Sequence, residues 1–349
     1  MNRVLLRIGL AVAPILVSLL VTTVIILVVG ASPGEVFENV IEGAFGSNRS
    51  ISGVINYWIP LVFCSMGLIV TFTAGLWNIG VEGQMTMGAI AASLIARTFG
   101  ETLPNEILLP LEIVAAMLGG GAWAAVVGFF KVRLGVHEIF GGVGLNALAN
   151  VYAIYLIAGP WQPPEGGSLQ ATAPFAPAAL FPRFSSDFPV SLLALILAGV
   201  VIVAITLILR GTRWGLHLKA TGKNARSALL LGVPTARSAM TAFIVCGALA
   251  GIAGSYRALL TYGSLRPFAS GGVGFLALLV VLVSGVRAIW APLIAFVFAA
   301  MSVGSITKLP IALRLDQSLS GVLQGLVVLF VLLGDGVRQR FFNKEERAG

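Results

Sequence analysis

Charge is the scarcest property of this chain. Of its 349 residues, 10% are charged and 58% are hydrophobic, and the mean hydropathy is +0.98. A soluble domain carries about 25% charged residues, so the composition excludes a soluble protein. Strand-like alternation is also missing, and apolar runs near the ~20 residues that span a bilayer recur along the sequence. These features predict an all-α polytopic membrane protein rather than a β-barrel.

Residues that carry chemistry are also sparse. The two cysteines, Cys64 and Cys246, lie in separate apolar runs, which predicts packing roles and no disulfide. The two histidines, His137 and His217, lie in predicted loops without a second ligand, so no metal site is expected. The sequence contains no HExxH, CxxC or GxSxG pattern and no Walker A signature. The chain is therefore predicted to be no enzyme and to hold no cofactor itself.

The distribution of basic residues predicts the topology. The N-terminus has basic residues followed by an apolar run too long for a signal-peptide core, so we expect a retained first helix that starts in the cytoplasm. With ten spans, 15 of the 22 Lys and Arg residues fall on the cytoplasmic side, as the positive-inside rule requires. The net charge of +8 thus reflects topology and not nucleic-acid binding. The predicted spans are 5–29, 54–73, 80–97, 107–130, 139–159, 188–210, 239–259, 271–287, 290–307 and 318–334, with eight or nine if 54–97 is partly re-entrant.

Two long connections interrupt this single transmembrane domain of residues 1–349. The external loop 160–187 is rich in Pro, Gly, Ala and Ser, and its prolines argue against a regular helix. Three roles are compatible with its composition: docking of a partner, capping of the outer mouth of the path, or a passive linker. The cytoplasmic segment 211–238 contains a predicted short helix over 225–231, with Asn224 as N-cap and Gly232 before Pro234 as its stop.

That short helix combines apolar and basic side chains. Leu229 and Leu230 give it an apolar side beside Lys223 and Arg226. An interfacial helix on anionic lipid has this pattern, and so does a helix that fits the groove of a soluble partner. Periodicity fits both interpretations equally.

Polar residues cluster within the apolar stretch 73–92. It carries the carboxylate of Glu82, the carboxamides of Asn78 and Gln84, and four glycines. An ionisable group at the bilayer centre costs at least ~2.5–3.5 kcal/mol, so it normally faces protein or a water-lined path. The stretch therefore indicates either a transport path or a polar turn whose carboxylate is satisfied by local hydrogen bonds. A second Gly- and Pro-interrupted stretch at 263–274 indicates either paired broken segments around a central path or ordinary glycine-rich packing between membrane helices.

Four stretches resemble one known family. Residues 76–92 read LWNIGVEGQMTMGAIAA, which closely resembles the NIGxEGQ segment of permeases in bacterial ABC importers for simple sugars and nucleosides. Residues 135–161 look like that family's Gly-x-x-Glu turn and the following helix with a Leu-Asn pair. Residues 220–254 resemble its cytoplasmic coupling segment and small-residue helix, and 318–334 also fit. The matches follow the family's order and most resemble the larger nucleoside permease, while 274–290 depart from the pattern.

The resemblance implies a fold and a set of partners. The fold would be the type II importer permease bundle, in the bacterial cytoplasmic membrane. A second homologous permease subunit would complete a heterodimer, two ATP-binding subunits would hold ATP and Mg, and an extracytoplasmic substrate-binding protein would deliver the nucleoside or sugar. The coupling helix that receives the motion of the ATPase would involve Lys223, Asn224, Arg226, Leu229 and Leu230.

The candidate residues of the substrate path are polar or aromatic. Asn and Gln offer donors and acceptors for hydroxyl-rich solutes, and an aromatic ring stacks on a planar solute. Glu82 has a competing structural role, in which it holds a broken helix by accepting backbone N–H bonds. The alternative function is an ion-coupled secondary transporter with Glu82 as its coupling site. The candidates are Asn78, Glu82, Gln84, Asn146 and Phe275.

Overall fold

The computed structural model describes residues 3–163 and 170–313, and the helical residues 321, 322, 324–326 and 328–334. Side chains are described from residue 16 onward. The described residues are helical with short connections and contain no strand. They form two compact units, Met1–Ile55 with Phe296–Gly349, and Asn56–Ala295.

The first unit joins the two ends of the chain. It contains α1 (Arg3–Val28), α2 (Pro33–Phe45), the start of α3 (Asn48–Thr73) and most of α12 (Ala291–Lys308). Its core is built on Ile26, Val36 and Leu309. Helix α2 lies in a stretch, 30–53, for which no helix was predicted, although Pro33 and Glu35 in its first turn are ordinary helix-start signals.

The second unit contains the remaining helices. The small-residue helix expected after the segment 211–238 is present as α10 (Thr235–Tyr256), and a π-helical turn, Arg257–Tyr262, extends it. The helices are the rest of α3, α4 (Val81–Phe99), α5 (Asn105–Leu134), α6 (Glu138–Ala158), α7 (Leu192–Gly211), α8 (Arg213–Lys223), α9 (Ala225–Leu230), α10 (Thr235–Tyr256), α11 (Val273–Val283) and the start of α12.

Glycines set the packing of α4, α5 and α10, which make the most extensive contacts in this unit. A Cβ on Gly88 of α4 would overlap the backbone of Gly251 on α10. A Cβ on Gly120 of α5 would likewise overlap the backbone at Gly247. Small residues at both faces let helix backbones approach closely, which is how helices associate in a membrane without a hydrophobic drive between them.

The predicted number of about ten spans is not confirmed. Among the described residues, six helices are long and apolar enough to cross a membrane, or seven if α1 and α2, bent by 107°, form one span. Two of the predicted spans fall short for physical reasons. The polar start of α4 lowers its hydropathy, and α11 has only 11 residues where about 20 span the bilayer. The span predicted over 318–334 lies partly outside the described residues.

Candidate functional site

The turn between α3 and α4 is fixed by a buried amide pair. Gly75 takes a φ of 74°, in the left-handed region that favours glycine. Beyond it, the fully buried carboxamides of Asn78 and Gln84 form two reciprocal hydrogen bonds of 3.0 Å each. The Asn78 Nδ2 atom also lies 3.1 Å from Cys246 Sγ on α10. The pair therefore fastens the turn to the first residues of α4 and to α10.

Asn146 on α6 completes the start of α4. Its Oδ1 accepts the Gly83 N–H at 2.7 Å, and its Nδ2 donates to the Ile79 carbonyl at 2.9 Å. The first N–H groups of any helix have no partner inside the helix, and Gly80 at the N-cap offers no side chain. A carboxamide from a neighbouring helix thus takes the place of a local cap. Gly142 packs against Gly80 without an intervening side chain, which allows α6 to approach this closely.

Glu82 connects the two broken segments. Its Oε1 accepts the backbone N–H of Phe275 at 3.0 Å, across 193 positions of sequence. The Gly274 N–H and the Ser270 hydroxyl also hydrogen-bond to this carboxylate. These groups belong to the first turn of α11 and the loop before it, where the N-cap Gly272 provides no side-chain cap. A carboxylate at a helix N-terminus is further stabilised by the helix dipole.

Arg257 is a buried cation that is not among the residues predicted from sequence for the site. Its Nε donates to the Ala269 carbonyl at 3.2 Å, and its Nη2 donates to the Tyr262 hydroxyl. The guanidinium lies 4.8 Å from the Tyr262 ring centroid and 5.9 Å from that of Tyr57. The sequence contained a signal for this residue, because an arginine inside an apolar run, here 243–262, marks a functional or paired position.

The structure brings all five candidate path residues to one junction. Asn78, Glu82, Gln84 and Asn146 are buried, and each is hydrogen-bonded to protein groups. Phe275 contributes its backbone N–H to the same junction, while its side chain is 49% exposed. The junction therefore separates four buried residues that hold the helix starts from one aromatic ring that is half-exposed.

The segment 211–238 contains two short helices, α8 and α9, where one was predicted. The predicted cap is confirmed, because Asn224 Oδ1 accepts the Ser227 N–H at 3.0 Å to start α9. The helix ends at Leu230, and Gly232 then takes a φ of 81°. Leu229 is 61% exposed and Leu230 is 84% exposed, so α9 presents an apolar tip. The additional helix α8 precedes it and packs on α10.

The end of α8 lies against the turn before α4. The Gly222 Cα is 3.1 Å from the position of a Cβ on Gly75, and a Cβ on Gly222 would overlap the Thr73 carbonyl. Nothing larger than glycine fits on either side of this contact. The segment 211–238 thus touches the turn that carries Asn78.

Comparison with known proteins identifies the family. Residues 50–332 match the permease component of the branched-chain amino acid transport system. The chain belongs to this permease family. It is 27% identical to the glucose ABC transporter permease TsgB13 of Haloferax volcanii, over 98% of this chain and 90% of that protein. It is also 27% identical to the guanosine ABC transporter permease NupP of Bacillus subtilis, over 93% of this chain and 92% of that protein.

The relatives include pairs of permeases from single organisms. The nucleoside ABC transporter permease NupB of Lactococcus lactis is 26% identical over 83% of this chain and 82% of its own length. A second nucleoside permease of the same organism, NupC, also matches, and Bacillus subtilis has a second guanosine permease, NupQ. This chain is therefore a multi-pass membrane permease subunit of an ABC transporter.

A double-mutant cycle tests the amide pair. Asn78→Leu and Gln84→Leu each leave a buried carboxamide unpaired, so each is expected to lower the free energy of unfolding by ~1–3 kcal/mol. The double variant is expected to cost less than the sum by at least ~0.5 kcal/mol, because both partners are removed together. The measurement is detergent unfolding of the full-length chain.

The matched control combines Gln84→Leu with Asn105→Leu. Asn105 Nδ2 donates to the Ala178 and Leu180 carbonyls, away from the junction. These two changes are expected to be additive. Additivity of the Asn78 and Gln84 changes as well would show that the pair has no stabilising role.

Proposed function

We propose that this permease moves nucleosides or simple sugars into the cell by alternating access. The observation that carries the proposal is the family match together with relatives named as guanosine, nucleoside and glucose ABC transporter permeases. The chain contains no Walker A sequence. ATP hydrolysis is therefore assigned to separate subunits, which also hold the Mg.

The proposed assembly contains four kinds of subunit. A second, homologous permease completes the path, which the paired permeases of Bacillus subtilis and Lactococcus lactis support. Two ATP-binding subunits attach on the cytoplasmic side, and an extracytoplasmic binding protein delivers the solute. The permease lies in the cytoplasmic membrane as one domain of about ten helical passages of the type II importer kind, including α4 and α11, with its N-terminus inside.

The external loop 160–187 is the proposed contact with the binding protein. In its described part, the Thr172 N–H donates to the Leu265 carbonyl at 2.9 Å and the Phe175 N–H to the Gly263 carbonyl at 2.9 Å. Arg183 Nη2 donates to the Leu260 carbonyl at 3.2 Å. The loop therefore rests on the segment that leads into α11. Binding on its outer surface would act on the same helix that Glu82 caps.

The segment 211–238 is the proposed contact with the ATPase. The apolar tip of α9, formed by Leu229 and Leu230, suits a groove in a protein partner. Lys223 and Arg226 are exposed beside it and Asn224 fixes its first turn, so the tip is presented in one orientation. A rigid tip transmits displacement, whereas a flexible one would absorb it.

Motion of α9 has a short route to the junction. The chain of contacts runs from α9 to α8, then from Gly222 to Gly75, and through Asn78 and Gln84 to the start of α4. Glu82 extends it to α11 and Phe275. Every step is a backbone contact or a buried hydrogen bond. We assign the change between inward- and outward-facing states to tilting of α4 and α11 about this junction.

Within this scheme the junction residues have different roles. Asn78, Gln84 and Asn146 hold the helix starts, and Glu82 couples α4 to α11 while remaining bound to backbone N–H groups. The exposed Phe275 ring stacks on the solute as it passes. A neutral solute needs no titrating carboxylate, so the proposal assigns Glu82 no proton or sodium.

Leu230→Asp tests the docking role of α9. Burying an unpaired carboxylate in the ATPase groove is expected to weaken binding of the ATP-binding subunits at least about tenfold, as at other interface hot spots. The measurement is the yield of these subunits co-purified with the permease and the ATPase activity of the complex. Charge reversal at Lys223 and Arg226 is expected to act in the same direction.

The control is Phe184→Asp, which places the same charge at an exposed position of the external loop. It is expected to leave co-purification unchanged. Full recovery of the ATPase subunits with Leu230→Asp would remove α9 from the interface.

Phe275→Ala tests the solute path. Loss of a stacking ring worth ~0.5–1.5 kcal/mol is expected to raise the KM of solute uptake about two- to tenfold. ATPase co-purification should stay at the wild-type level, because the backbone N–H that binds Glu82 is retained. The measurement is ATP-driven uptake of guanosine and glucose by the reconstituted complex, and the control Phe275→Tyr keeps the ring. An unchanged KM with Phe275→Ala would exclude the ring from the path.

A further inference from the structure

A cationic cleft opens in the second unit, and none of the five candidate path residues lines it. It has a volume of about 380 Å³ and lies where the ends of α3 and α7 meet α8 and the loop 286–290. Its lining includes Arg210, Lys219 and Arg287, and none of its lining residues is acidic. We call this site the cationic cleft.

Its three cations have no anionic partner within the described part of the chain. Neither Arg210, Lys219 nor Arg287 forms an ion pair there with a described carboxylate. Three like charges around one cleft repel one another, and an anion bound among them lowers that repulsion. The hydroxyls of Thr73 and Thr206 in the lining already donate to the Ile69 and Ile202 carbonyls. Binding of an anion therefore falls to the cations.

The surroundings of the cleft are apolar and suit a membrane surface. Val203 and Leu207 are exposed along α7, which then ends in Arg210. Ile289 and Trp290 are exposed at the opposite side of the cleft. Tryptophan is enriched at the level of the lipid headgroups. An anion bound here would have exposed apolar side chains beside it, where an acyl chain can lie.

The backbone holds Arg287 in a constrained loop. Val286 has a φ of 59° and follows Gly285 with a φ of 60°. Positive φ in a β-branched residue is a true outlier. Such strain persists where the surrounding structure fixes it and is concentrated at binding sites.

We propose that the cationic cleft binds the phosphodiester headgroup of an anionic lipid. Arg210 and Arg287 donate paired N–H bonds to the phosphate oxygens, and Lys219 contributes a point charge. The acyl chains lie along the exposed face of α7. Basic pockets between membrane helices recognise headgroups in this way. The inference requires only that α7 crosses the membrane and is independent of the transported solute.

The test is a thermal-shift titration of the purified full-length permease in detergent. The probes are a short-chain phosphatidylglycerol, the matching phosphatidylcholine and inorganic phosphate. Phosphatidylglycerol is expected to raise the melting temperature with saturation, and the other two probes are expected to have no effect. Each single change, Arg210→Gln, Lys219→Gln or Arg287→Gln, is expected to weaken its binding about fivefold.

The matched control is Arg213→Gln, which removes one exposed charge from α8 outside the cleft. It is expected to leave phosphatidylglycerol binding unchanged, whereas the triple cleft variant is expected to lose saturable binding at an unaltered lipid-free melting temperature. Equal loss with Arg213→Gln would mean diffuse surface attraction and overturn the proposal. An equal shift with inorganic phosphate would assign the cleft to a soluble anion instead.

The triple variant also distinguishes a lipid site from an interface with another protein. If the triple variant binds phosphatidylglycerol like the wild type but no longer co-purifies with ATP-binding subunits, the cations serve that interface and the lipid proposal is wrong. No saturable shift with the wild type would likewise overturn it.

Discussion

The hydrogen bond from the first turn of α11 to Glu82 is the contact on which the arrangement of α4 and α11 depends. Where a helix starts inside an apolar bundle, its first N–H groups have neither helical nor water partners. The chain solves this twice with side chains from elsewhere, Asn146 for α4 and Glu82 for α11. The two broken segments are thereby tied together at one junction.

Glycine makes this arrangement possible. The contacts of Gly80 with Gly142, of Gly75 with Gly222 and of Gly88 with Gly251 bring backbones together where any side chain would separate them. The same chain of contacts links the exposed tip of α9 to the backbone of Phe275. In the proposed function, buried hydrogen bonds and small-residue packing together carry a displacement of α9 to the solute.

Much of this was predictable from residues alone. Composition gave the membrane class, and Asn224 with Gly232 gave the position of α9. The polar stretch around Glu82 and the Gly-rich stretch before α11 were both recognisable, but their meeting was not, because the bond from Glu82 to Phe275 spans 193 positions. Helix α2 was not predicted, because its polar residues lower the mean hydropathy of the segment. The predicted number of spans was not confirmed, because hydropathy alone does not reveal that a helix is as short as α11.

The central claim is that ATP drives this permease while Glu82 acts only as a structural link. The most direct test is solute uptake by the reconstituted complex carrying Glu82→Gln, measured with ATP and, separately, with a proton or sodium gradient. The account predicts that ATP-driven uptake persists, because the Gln carbonyl still accepts the Phe275 N–H, and that neither gradient drives transport. Uptake by the permease alone, driven by a gradient without ATP and abolished by Glu82→Gln, would contradict it.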